Sequence, residues 1–505
     1  MKSSLKPRIF AYPKKRIFDS NCAISFYNEF HNVKKLSFLF FFFLAILLQG
    51  QPNIDVSSDY ELSTAEARKY QTKLLSFKKE FSGSKKVVKK FDEICDERAD
   101  YFKEMNDNHQ LMAHGQLVDF LQSIVDKIAD SNPSIKKGYF KIFVLRSTAV
   151  NAHNLGEGII FFNLGLLARI DHVDELAFII GHEMAHDQLN HVYKSTADQA
   201  TFYKTRYKAI KKAARKKYGS ATAQEAVITK ILASMGLHSR KNETLADELG
   251  AKLVIKAGFG RPGAIQALAL LRESDEPIWK DTVNIQKMLS TPDYQIKKKH
   301  LSQVDAYAPW SQMESLYEIP DSLKTHPHCD DRIDHIKEAL ADKKGSFADF
   351  AQAYQKLQTL ILHEYLQCFF EENNVSKALY NTMVVKQLGD DSPFLDGLIN
   401  WCLYDLYFAI KQQDFSATVD FPDSKFSKGY NKVLEFLQAQ NSSRFMKMAN
   451  GYYHTHLAQA DDFELKKIVT LYKTYLETDK LKTTQVKKAQ IKNGFYKDFI
   501  HQLKQ

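Results

Sequence analysis

Three histidines and a glutamate crowd into GHEMAHDQLNH, residues 181–191. If the segment is helical, His182 and His186 stand one turn apart on one face. Glu183 lies roughly 100° round from His182, near enough to reach over the same spot. Two imidazoles at that spacing can grip a zinc ion while the carboxylate serves as a base beside the metal's water. A motif this short also arises by chance on surface helices, so a third ligand has to decide. An HExxHxxGxxH arrangement needs glycine at position 189 and histidine at 192; the chain has Leu189 and Val192, and His191 falls one position short. A glutamate on an immediately following helix is excluded too, since no acid lies between Asp198 and Glu225. Further on, SRKNETLADELGAKLVIKAGFG (239–260) places Glu243 and Asp247 at i, i+4 on one face. One carboxylate could complete the metal shell, and the other could hold a ligand imidazole in one tautomer. An ion-pair helix on the surface is the alternative.

These residues need two helices to carry them. Asp171 with Asp174 reads as a cap, and Glu175–Asn190 contains no proline. Val173, Ala177, Ile180 and Met184 mark a core-facing stripe, and Gly181 lowers helix propensity by about 1 kcal/mol while permitting close packing. On the second helix Leu245, Leu249 and Leu253 mark the expected buried stripe, with Gly258 as its stop. A helix over 115–130 opens this region, and strands at Tyr139–Leu145 and Gly158–Phe162 are expected to form a small sheet against the metal-bearing helix. The second strand alternates poorly, which predicts burial on both faces or a place at the edge of a cleft.

HExxH followed by R-x-x-E-x-x-A-D (Arg240, Glu243, Ala246, Asp247) resembles the zinc metallopeptidase family of HtpX and the CAAX prenyl proteases, in particular its soluble periplasmic BepA-like members. VNAHNLGEGIIFFNLGLLARI (150–170) resembles the family's N-A-x-x-x-x-x-G strand and following G-L-L, and THPHCDDRI (325–333) its H-P-x-x-x-x-R segment. His153 departs from the pattern, where the family more often has an aromatic residue, which bears on the shape of the substrate cleft. The resemblance implies one zinc ion held by His182, His186 and Glu243, with Glu183 as general base and Asp247 orienting a histidine. It also implies that His326 and Arg332 line the cleft near the reacting carbonyl. Three protein ligands leave a fourth zinc position for water, whose pKa falls to about 7.

The first 35 residues carry eight Lys or Arg and two acids, ahead of LSFLFFFFLAILLQG (36–50). A spanning helix needs about 20 apolar residues, so residues 1–50 read as a signal peptide cleaved near Gly50, with a retained anchor as the alternative. An exported, periplasmic or membrane-associated protein of the envelope is expected. Without those residues the net charge falls from +10 to +4, so the basic balance gives no support for nucleic acid as a partner. One basic run remains, YKTRYKAIKKAARKKYG (203–219), a candidate lid or membrane-surface contact. The cysteines show no metal-ligand spacing.

The expected fold class is mainly α with a small β-sheet, an α+β zincin-type metallopeptidase domain followed by an all-α C-terminal domain. The expected divisions are a charged helical segment at 51–110, the metallopeptidase domain at 111–341, a linker at ADKKGS, and helices over 342–505. Helix-length segments at 350–371, 375–388 and 394–412 suit degenerate helical repeats or a plain bundle, either able to recruit a protein partner. The expected function is zinc-dependent endopeptidase action on misfolded or unfolded polypeptide. The rivals are a chaperone-like module or a scaffold that keeps the fold without hydrolysis.

Overall fold

A strand without a polar face must be covered on both sides. Ile159–Asn163 is such a strand, with all five residues buried. In the computed structural model it is β4, an inner strand of a four-stranded sheet of order β1-β2-β4-β3. β1 is Leu111–Met112, β2 is Lys141–Leu145 and β3 is Ala152–Gly156. β2 and β4 run parallel, with Ile142 opposite Ile160, while β1 and β3 pair antiparallel at the two edges. Side-chain alternation splits the sheet between two cores: Ile142, Val144, Ile160 and Phe162 enter the larger one, and Phe143, Leu145, Ile159 and Phe161 the smaller. The edge beside the metal-bearing helix is therefore β3, not the strand at Gly158–Phe162, whose burial on both faces puts it inside the sheet.

The structure describes residues 62–108, 110–214, 240–297, 301, 329–339, 348–461, 466, 469–470 and 473. The leader at 1–50, the linker at ADKKGS and the side chains of the basic run 203–219 lie outside the described residues. Apart from the last turn of one helix, the described residues belong to one unit, Ile54–Lys208 with Ile231–Gln505.

The smaller core is closed by α1 (Thr64–Leu74), started by a Ser63–Glu66 capping box, and by Ala99 and Phe102 of α2 (Lys85–Asp107), whose Val87, Phe91 and Cys95 belong to a third cluster with Phe77 and Ala200. On the other face lie α3 (Gln116–Ser131) and α4 (Val173–Gln188), the helix of the HExxH motif. After α5 (His191–Ala214) come α6, helical over 240–256, α7 (Arg261–Arg272) and α8 (Cys329–Ala339).

The longer helices that follow are α9 (Ala348–Glu371), α10 (Val375–Gln387), α11 (Pro393–Lys411), α12 (Lys428–Gln438) and α13 (Ser442–Tyr452). They share one hydrophobic core with the sheet side, continuous from Met112 to Val469. Arg146, at the end of β2, is buried and pairs with Glu364 and Glu371 of α9, the latter at 2.9 Å. Breaking such a pair from one side costs about 3–5 kcal/mol, which ties α9 to the sheet. A segment beyond α7 crosses back onto these helices: Tyr380 Oη donates to the Asp281 carbonyl (2.8 Å) and Gln387 Nε2 to that of Thr282 (3.1 Å). No helix among the described residues is long and apolar enough to cross a membrane. Cys95, Cys329, Cys368 and Cys402 are buried and form no disulfide.

Candidate metal centre

α4 starts differently from its sequence reading. His172 is its N-cap and makes no side-chain capping bond. The carboxylate of Glu175 accepts the Asp171 N–H, and Asp174 accepts from the backbone of Gly260. Burial extends all round the helix: every residue from Val173 to Ala185 except Asp174 is buried, because the sheet, α6, α7 and α9 enclose it. A single stripe could not be the right description.

α6 crosses α4 where two glycines meet. A Cβ on Gly250 would lie 2.8 Å from both Cα and N of His182, and one on Gly181 would lie 2.5 Å from Cγ1 of Val254 and 3.0 Å from the Gly250 carbonyl. This close approach selects small residues, so the buried face of α6 is Ala246, Asp247, Gly250, Ala251, Leu253 and Val254. Of the expected leucine stripe only Leu253 is fully buried; Leu249 is half-buried and Leu245 is 38% exposed. The helix ends as its sequence suggests, with Gly258 at φ +99° and its N–H donating to Ile255.

The near-contact of the backbones brings the polar side chains together. His182 Nε2 and His186 Nε2 are 2.9 Å apart, and the Glu243 carboxylate lies 3.5 Å from the first and 3.4 Å from the second. A tetrahedral ion with ligand bonds of about 2.0–2.1 Å spaces its donors about 3.3 Å apart. The three separations bracket that value, and two nitrogens with one carboxylate suit zinc chemically. Among the described residues this is the one cluster of His, Cys, Asp or Glu able to hold a metal ion.

Behind the donors, Asp247 Oδ1 lies 2.9 Å from His182 Nδ1, the nitrogen turned away from Glu243. Arg332 of α8 closes the far side: Nε donates to Asp247 Oδ2 (2.6 Å) and Nη2 to Oδ1 (2.8 Å), and Nη2 also sits 3.3 Å from Glu243. Arg332 is buried, with Nε and Nη2 directed at these two carboxylates. It braces the donors from behind through Nε and Nη2. His326 lies outside the described residues.

The charges follow from this packing. Burial opposes a charge on His182, but Asp247 and Glu243 overcome it and push the imidazole up to about 10. Burial and the neighbouring His182 bring His186 down to about 3. Glu243 is held well below the usual carboxylate range: burial works against its charge, but the bond to His182 and the charges of His182 and Arg332 outweigh it. Asp247 is lowered in the same way, burial being outweighed by its bonds to Arg332 and His182. Burial raises Glu183 to about 7, against the pull of His182. A buried carboxyl near 7 is tuned for proton transfer at neutral pH.

Edge strand β3 is fastened to the same helix. Asn154 Nδ2 donates to the Glu183 carbonyl (2.9 Å). Asp187 accepts the Gly158 N–H (2.7 Å) and the Tyr139 hydroxyl (3.2 Å), fixing the β3–β4 hairpin to the end of α4. His153 points to the opposite side of the sheet, edge-on to Phe161 with ring centres 5.4 Å apart and 6.2 Å from Tyr101. It therefore does not shape a cleft on the metal side. Asn154 and Asp187 carry no periodic or motif signal that would single them out in the sequence.

Residues 118–340 match the family described as Peptidase family M48. This segment is an M48 peptidase domain. Over 166 residues the chain is also 26% identical to a Vibrio cholerae serotype O1 protein named as a beta-barrel assembly-enhancing protease, covering 32% of this chain and 34% of that protein. The chain thus spans about a third of the length of that curated relative. The M48 domain takes in α3, the inner strands, both helices of the metal cluster and α8, so the Arg332 brace belongs to it.

Proposed function

We propose that the chain is a zinc-dependent endopeptidase of the cell envelope that cleaves misfolded or unfolded polypeptide. The observation that carries this reading is the convergence of His182, His186 and Glu243 beside a buried Glu183 whose carboxyl is raised to about 7. When bound there, zinc supplies a Lewis acid and lowers the pKa of water. Glu183 takes a proton from the attacking water and delivers it to the leaving amine. Asp247 and Arg332 hold the donors, and Asn154 keeps β3 against the helix. β3 pairs only with β4 among the described residues. Its outer edge suits an extended substrate bound through main-chain hydrogen bonds, which favours unfolded chains over folded ones.

The apolar run at 36–50 and the name of the Vibrio cholerae relative support an envelope location. His326, by its H-P-x-x-x-x-R segment, is proposed as a donor to the oxyanion. The C-terminal helices are proposed to engage a protein partner, and the basic run 203–219 an anionic membrane face.

The test is hydrolysis of unfolded casein by purified protein, with and without a zinc chelator, and with zinc restored. Chelator-sensitive, zinc-restored cleavage supports the reading. Zinc-loaded protein that binds casein without cutting it establishes the binding-module alternative.

A further inference from the structure

His191 fails as a zinc ligand by spacing, yet it is buried and its ring packs on His186. The turn between α4 and α5 brings it there. α4 closes at Leu189, whose N–H returns to Ala185, and Asn190 adopts φ +56°. Asparagine tolerates that left-handed conformation better than most residues. The reversal carries the first residue of α5 back over the end of α4. His191 Nδ1 comes to 3.0 Å from His186 Nδ1, with the ring planes at 72°.

That contact involves the nitrogen of His186 that the metal cluster leaves over. Nε2 of His186 faces His182 and Glu243, and Nδ1 faces His191. Two ring nitrogens at hydrogen-bond distance require one proton between them. A metal on Nε2 requires the proton of His186 on Nδ1, so Nδ1 of His191 must accept. His182 has a carboxylate in the corresponding place, Asp247, itself fixed by Arg332. The two ligand histidines are thus held from behind by different groups, one by a braced anion and the other by a neutral ring.

We infer that His191 is a positioning residue for the metal centre: its Nδ1 accepts the Nδ1–H of His186 and thereby fixes that ligand's tautomer and ring orientation. The inference rests on the proposal that His182, His186 and Glu243 bind zinc, and it gives a role to the third histidine of the 181–191 segment, which touches neither metal nor substrate.

The experiment measures zinc affinity by chelator competition for the full chain and for His191→Leu, His191→Ala and His191→Gln, alongside thermal melts of the metal-free proteins. Removing such a partner lowers metal affinity about 10–100-fold. The leucine and alanine variants should show that loss with metal-free melts unchanged, and glutamine, which keeps an acceptor, should recover most of it. Leucine binding zinc as tightly as the parent overturns the inference, and a parent that binds no zinc overturns the metal proposal instead. If the variants fold poorly, nitrogen NMR of ring-labelled histidines in the zinc-loaded parent still decides. A proton on Nδ1 of His186 and none on Nδ1 of His191 supports the assignment, and the reverse pattern sinks it.

Discussion

Gly250→Ala sets two known effects against each other. Alanine in the middle of α6 improves helix propensity by about 1 kcal/mol. Its Cβ, however, would lie 2.8 Å from the Cα and N of His182, where ordinary contact begins at 3.4 Å. Those atoms are backbone of a helix buried all round, so the 0.6 Å shortfall cannot be absorbed by a side-chain rotation. Overpacking of this kind costs about 1–3 kcal/mol, and a backbone collision belongs at the upper end. The net loss is then about 2 kcal/mol, a fall in melting temperature of about 2–4 °C, since at roughly 2.1 cal/mol/K per residue a unit of this size shifts only about 1–2 °C per kcal/mol. Moving α6 out by the same distance would widen the Glu243 separations from 3.4 and 3.5 Å to about 4 Å, beyond the roughly 3.3 Å that a tetrahedral zinc spans. Zinc affinity should drop at least about tenfold. Calorimetric melts and chelator competition read the two consequences, with Leu245→Ala, exposed on the same helix, as a control that changes neither. A Gly250→Ala protein that melts higher and keeps its zinc would refute the close crossing as the device that builds the site.

Glu183→Gln should retain zinc and lose casein hydrolysis by about 10²–10⁴, since the base goes and the donors stay; undiminished turnover would remove Glu183 from the chemistry. Glu243→Ala should abolish tight zinc binding, whereas Glu248→Ala should not, because Glu248 is paired with Lys252 and His335 away from the donors; equal zinc content in both would place the third ligand elsewhere. Zinc uptake should depend on pH. In the metal-free protein His182 is held up to about 10, and a metal ligand must be neutral. Each pH unit between 7 and 9 should therefore raise apparent affinity about tenfold, and a flat profile would contradict the charge assigned to His182. The same shift is upward from 6.5, so this protonation stabilises the metal-free fold fully below about 6.5 and stops contributing above about 10. Denaturant unfolding of zinc-free protein across that range checks the sign.

The sequence by itself carried the chemistry of the site. His182 with His186, and Glu243 with Asp247, are legible as pairs because i, i+4 spacing is enforced by helix geometry, whatever the helix packs against, and Glu183 follows from its place beside His182. Helices α3, α4 and α6, the two inner strands and the helical character of the C-terminal part were legible from equally local periodicity, whereas β1, α7 and α8 gave no such signal. Other features depended on contacts between distant segments. The leucines of α6 read as its buried stripe, but the glycine crossing turned Ala246, Gly250 and Ala251 inward and left Leu245 in solvent. β4 read equally as an inner strand or a cleft edge, and only the pairing order assigned the edge to β3. Arg332 read only as a cleft residue from its motif; that its Nε and Nη2 also brace Asp247 and Glu243, more than eighty positions upstream, is visible only in the folded chain. His191 looked like a near miss because ligand spacing assumes a continuous helix. A two-residue turn broke that helix and returned the ring to His186, a relation that only the folded chain can create.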